Sequence, residues 1–137
     1  MMTKKLFFLL ILSFPTFLFA QSAFTHCDHV YTRVQHLPSL KISNEAFEDS
    51  LAAALKAKKF PLKNTEIIFS FVVTSSSQID ELTTVYGNVE TENMLRGTIV
   101  NSANLWKPAT QNGYDVCAYV RLKIEFVDSK INIEITQ

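Results

Sequence analysis

At 137 residues the chain is the length of one domain and can bury a sizeable core. Hydrophobic residues make up 47% and charged residues 19%, with Gly 3 and Pro 4, which excludes a disordered or collagen-like chain. Lys plus Arg and Asp plus Glu balance at 13 each, which argues against a protein that works by neutralising nucleic-acid phosphates.

The first segment reads as an export signal. Lys4 and Lys5 form a positive start, Leu6 to Leu12 an apolar run, and Ala20 a small residue for cleavage, with Ser22 as a second candidate. Leu6 to Ala20 falls short of the roughly 20 residues a spanning helix needs. Residues 1–20 are therefore expected to be a cleaved signal peptide and the chain periplasmic; an uncleaved inner-membrane anchor is the alternative. Loss of Lys4 and Lys5 leaves the mature chain with two more acidic than basic side chains.

Residues 21–43 read as a polar N-terminal segment with one strand-like stretch, Val30 to Val34. Cys27 lies here, and Cys117 is its one possible partner in the chain. In an oxidising compartment a Cys27–Cys117 disulfide is expected. It would close a loop of about 90 residues, worth about 4–5 kcal/mol in the chain-entropy model. His26, Cys27, Asp28 and His29 could be read as metal ligands, but four consecutive donors do not converge easily on one tetrahedral ion, and no metal or other cofactor is assigned.

Asn44 to Lys59 is the clearest helix. Phe47, Leu51, Ala54 and Leu55 make one apolar stripe, with Lys58 snorkelling at its end. Ser43 or Asn44 can cap its start; Glu45 and Glu48 suit the positive end of the helix, and Lys56, Lys58 and Lys59 the negative end. The lysine cluster is thus a dipole-matched helix end before it is an anion site. Pro61 stops the helix.

Thr65 to Thr74 alternates with period two, with Ile67, Phe69, Phe71 and Val73 on one face. Ser75 to Ser77 turns the chain into a second strand, Gln78 to Tyr86, where the spacing of Ile79 and Leu82 predicts a bulge or twisted edge. Gly87-Asn88 ends it, and Glu90 to Asn104 is a second helix with Leu95, Ile99, Ser102, Ala103 and Trp106 along one side. Tyr114 to Phe126 is the best strand; Val116, Ala118, Val120, Leu122, Ile124 and Phe126 share a face opposite Cys117, Tyr119, Arg121, Lys123 and Glu125. Asp128-Ser129 can turn the chain so that Lys130 to Ile135 pairs with Leu122 to Phe126.

The expected fold class is α+β: two layers, a three-stranded antiparallel sheet with two helices on one face, plus a short C-terminal added strand. The sheet order is second, first, third, with the third strand near an edge.

Trp106-Lys107-Pro108-Ala109-Thr110-Gln111-Asn112-Gly113 links the second helix to the long strand. Its local physics is simple: Trp106 covers the core, Pro108 ends the helix, and Asn112-Gly113 turns the chain through positive φ. The segment resembles the W-K-P-(G/A)-x-x-N-G signature of the TonB C-terminal domain family, carried by Trp106, Lys107, Pro108, Asn112 and Gly113. Phe71-Val72-Val73, the Ser75–Ser77 turn and Ile79-Asp80-Glu81-Leu82 are similar to the family's hairpin, with Ser77 where the family has Gly. Val116 to Phe126 is similar to its last strand, and Val30 to Lys59, ending near Pro61, to the lead-in of one branch. Residues 44–137 are thereby read as the TonB-like domain. The Pro-rich spacer of the energy-transducing members is not matched; only about ten residues separate the export signal from the first strand-like stretch.

The resemblance implies a stand-alone periplasmic binding domain that recognises an extended segment of an outer-membrane transporter by strand addition, linked to energy-coupled transmembrane transport. Tyr119, Arg121 and Lys123 on the long strand are the candidate partner-binding residues. The C-terminal strand would then compete with the partner. The alternative is a disulfide-stabilised exported scaffold or adaptor with no transducing role. No nucleophile elbow or acid pair stands out, so no catalytic residue is assigned and an enzyme is not expected; nor is a nucleic acid or small-molecule substrate.

Overall fold

The computed structural model describes residues 27–137 apart from residue 62. The expected signal peptide, residues 1–20, lies outside the described residues.

The chain runs β1 (Val30–Tyr31), β2 (Ser39–Leu40), α1 (Asn44–Ala57), β3 (Thr65–Val73), β4 (Ile79–Tyr86), α2 (Val89–Asn101), a 3₁₀ turn (Ala103–Leu105), β5 (Trp106–Lys107), β6 (Ala109–Gln111), β7 (Tyr114–Val127) and β8 (Lys130–Thr136). The α+β class is as the periodicities indicate; the three-strand sheet is not. β4, β3 and β7 lie side by side in the expected order, but they belong to a sheet of six strands, with β1, β6 and β8 all paired to β7. A second, two-stranded sheet joins β2 to β5.

Strand lengths explain the larger sheet. β7 has 14 residues and β3 has 9, so β3 cannot satisfy all of β7. The main-chain groups left over on β7 must find partners. β8 pairs with Arg121 to Val127, β1 runs parallel along Cys117 and Ala118, and β6 folds back on Tyr114 to Val116. The long strand is therefore an interior strand, not a near-edge one. The C-terminal strand pairs where the isoleucine alternation places it, with Ile131, Ile133 and Ile135 opposite Phe126, Ile124 and Leu122.

Both helices bury their stripes in one core. Phe47, Leu51 and Leu55 of α1 and Leu95 and Ile99 of α2 pack with Ile67, Phe69, Phe71, Val120, Leu122 and Ile124 of the sheet, all fully buried. Ser43 caps α1, its hydroxyl accepting from the Ala46 N–H at 3.1 Å. Asn88 caps α2 through the Thr91 N–H at 2.7 Å. The α1 lysine at the helix end is tied down: Lys58 Nζ donates to the Met94 carbonyl of α2 at 2.9 Å.

The second helix ends earlier than its pattern suggested. α2 stops at Asn101, and after Ser102 a 3₁₀ turn runs from Ala103 to Leu105, before Pro108. Pro108 thus breaks β5 from β6 and does not end the helix. Trp106 is fully buried, edge-on to Phe71 at 5.3 Å and to Phe47 at 6.3 Å between ring centres. Asn112 (φ 52) and Gly113 (φ 80) form the two-residue turn between β6 and β7, and Asp128 (φ 50) and Ser129 (φ 64) the one between β7 and β8. Two-residue hairpin loops favour positive φ at both positions because that twist matches the strands.

Candidate strand-addition site

Three residues of β7 are the sequence-predicted contacts. Tyr119, Arg121 and Lys123 share the sheet face turned away from the helices, opposite Val72, Ser70 and Ile68 of β3. They are brought together, but in the middle of the sheet. Lys123 Nζ is ringed by carboxylates, with Glu125 at 2.6 Å, Glu66 at 3.6 Å and Glu134 of β8 at 3.9 Å. The hydrogen bond to Glu125 raises the Lys123 pKa, and the same bond holds the Glu125 carboxyl below its ordinary value. The Tyr119 hydroxyl donates to Glu81 Oε2 of β4 at 2.9 Å, and this bond to a carboxylate raises the Tyr119 pKa. Arg121 stands exposed between Ser70 and Thr136.

The Cys27–Cys117 disulfide expected from the sequence is present, with the two Cα atoms 6.1 Å apart. It fixes the N-terminal segment where β1 lies on β7. Further contacts clamp that segment to the β6–β7 hairpin. Gln35 N–H donates to Gln111 Oε1 at 3.0 Å, Asn112 N–H donates to Gln35 Oε1 at 2.8 Å, and His36 exchanges main-chain bonds with Thr110. Cys27, bonded through sulfur, is no thiolate ligand, and the described residues hold no group of three or more metal-ligating side chains.

With β7 interior, the sheet's outer edges are β4 on one side and, beyond β7 on the other, β8 together with the short β1. β4 carries the irregularity its Ile79–Leu82 spacing suggested: its register on β3 shifts twice, and Glu81 sits at φ 52. Each edge also receives one charged side chain from a helix. Arg96 of α2 donates to the Leu82 carbonyl at 2.6 Å, and Glu48 of α1 accepts from the Ile133 N–H at 3.0 Å. Neither role is legible in the sequence. Glu48 reads as a partner of the α1 dipole, and nothing local links it to a strand 85 positions later.

No family model, no curated protein and no solved structure matches the chain. Among the described residues no helix is long and apolar enough to cross a membrane. The disulfide fits a non-reducing, exported environment.

Proposed function

We propose that this chain is an exported TonB-like domain that recognises an extended segment of an outer-membrane transporter by strand addition, as part of energy-coupled transmembrane transport. The segment from Trp106 to Gly113 carries the reading. It resembles the family signature in its residues, and in space it seats the one tryptophan in the core and delivers the chain through the Asn112–Gly113 turn into the central strand. The strand-addition mode is supported by the outer strand β8, whose outward main-chain groups have a single side-chain partner, Glu48, among the described residues. Tyr119, Arg121 and Lys123 contribute the polar face beside that strand. A partner that paired with β7 itself would first displace all 7 residues of β8, including the buried Ile131, and would bind more weakly by that cost. No catalytic step is assigned to the domain.

One observation favours the second reading, an exported scaffold or adaptor. Arg96 and Glu48 each occupy a main-chain group on an outer strand, and charged groups on edges are a common device against unwanted strand pairing. Pull-down with immobilised plug-domain peptides of outer-membrane transporters separates the two. The transporter reading predicts saturable retention of the oxidised protein; no retention of any such peptide favours the scaffold.

A further inference from the structure

The outer edge of β8 is built differently from that of β4. The tight turn at Asp128–Ser129 makes Val127 and Lys130 a hydrogen-bonded pair, so Glu125–Asn132, Lys123–Glu134 and Arg121–Thr136 follow as hydrogen-bonded pairs. The N–H and C=O groups of Ile131, Ile133 and Ile135 therefore point away from β7. The register is regular throughout, without the shifts that distort β4. Among the described residues one of these six groups has a side-chain partner: the Ile133 N–H donates to Glu48 Oε1 at 3.0 Å. That carboxylate oxygen stands where the carbonyl of a further strand would stand.

Beside the edge runs a groove of about 300 Å³ lined by Glu48, Asp49 and Ala52 of α1 and by Lys130, Ile131 and Asn132. A strand laid along β8 would turn alternate side chains toward α1. There they would meet two carboxylates beside the small Ala52, against the single cation Lys130 in the lining, a net negative charge that suits a long aliphatic stem ending in a cation. Once Glu48 leaves the Ile133 N–H, its charge is freed to pair with that cation.

We infer that the outer edge of β8 is a docking site for an extended protein segment carrying lysine or arginine at alternate positions, with Glu48 as the built-in occupant that the segment displaces. The inference rests on the strand-addition reading and moves the site from β7 to β8. It gives Glu48 two tasks: it blocks the edge when no partner is present and selects a basic partner when one arrives.

The test uses the oxidised protein and an end-capped eight-residue peptide of alternating valine and lysine, with a valine–glutamate peptide as its counterpart. Amide exchange is followed by NMR. The expected result is at least tenfold slower exchange at Ile131, Ile133 and Ile135 with the lysine peptide, and at least tenfold weaker binding of the glutamate peptide. Glu48→Gln and, at the exposed neighbouring position, Asp49→Asn are each expected to weaken the lysine peptide about threefold while leaving the fold unchanged by circular dichroism. Equal binding of the two peptides overturns the inference, as does concentration-dependent protection of the same amides without peptide, which would make the occupant a second copy of the chain. Lysine-peptide binding that releases β8 and protects β7 overturns the β8 site and leaves strand addition standing. Binding of neither lysine peptide nor transporter segment removes both.

Discussion

Val30 lies opposite Cys117 in parallel register, and Cys27 of the same segment holds Cys117 through its sulfur. The two contacts reinforce each other. A two-residue parallel pairing is too short to hold a chain end by itself, and the covalent bond removes the entropy that would otherwise pull it away. The described N-terminal segment is thereby part of the sheet rather than a leader to it.

Replacing Cys27 by Ser and Cys117 by Ala should lower stability by about 4–5 kcal/mol, the chain-entropy value for a loop of this length. Urea denaturation of the oxidised protein and of the variant measures the difference. The His36 amide, bonded to the Thr110 carbonyl, should exchange faster in the variant because its segment is no longer anchored. A loss below about 1 kcal/mol would mean that the loop is already closed in the unfolded chain.

Ser102 bridges two buried groups: its hydroxyl donates to the Ile99 carbonyl at 2.6 Å and accepts from Trp106 Nε1 at 3.1 Å. Ser102→Ala strands the indole N–H in the core and should cost about 1–3 kcal/mol. Trp106→Ala removes the largest buried side chain and should cost about 3–5 kcal/mol. Thermal unfolding of both variants orders them.

Two glycines should respond with opposite signs. At Gly87 (φ +123) an added Cβ would come within 2.7 Å of the Ile67 side chain, so Gly87→Ala adds a clash to a strained backbone, itself costing about 1–3 kcal/mol. Gly97 lies within α2 with nothing within 4 Å of its Cβ position, so Gly97→Ala should stabilise by about 0.5–1 kcal/mol. The midpoint should fall for the first and rise for the second.

The Lys123–Glu125 pair sets a pH window. The Glu125 pKa is lowered in the fold, so its contribution is present above the unfolded value and is lost as pH falls through the folded one. The Lys123 pKa is raised, so its contribution is present below the unfolded value and is lost as pH rises through the folded one. Between about pH 5 and about pH 10 both are intact. Lys123→Met should move the Glu125 titration up toward the ordinary carboxylate range, read by NMR of the side-chain carboxyl. An unmoved titration would mean that the ion pair does not form in solution.

The regular elements were legible because their burial follows their periodicity. The α1 stripe, the alternation of β3 and β7 and the isoleucine face of β8 all survive in the structure with bounds close to those expected. Ser77, which stands where the resembling family has Gly, sits at φ 61, so the turn imposes its conformation even without that glycine. What stayed hidden is short or distant. β2, β5 and β6 are two or three residues each, too short to show a period, and they exist because Trp106 and Thr110 meet partners far away in sequence. The disulfide could be expected from two cysteines in a chain whose start reads as an export signal; the six-stranded sheet it helps to hold could not. The same holds for the candidate site: alternation along β7 puts Tyr119, Arg121 and Lys123 on one face, while Glu48 and Arg96 act through contacts that no local pattern encodes.

Hydrogen exchange of the oxidised protein, with and without an extended plug-domain segment of an outer-membrane transporter, tests strand addition most directly. Strand addition predicts saturable slowing of exchange along the strand that receives the segment, β8, while α1 and α2 keep their rates. Unchanged exchange at every strand amide under a saturating excess of such segments would contradict it.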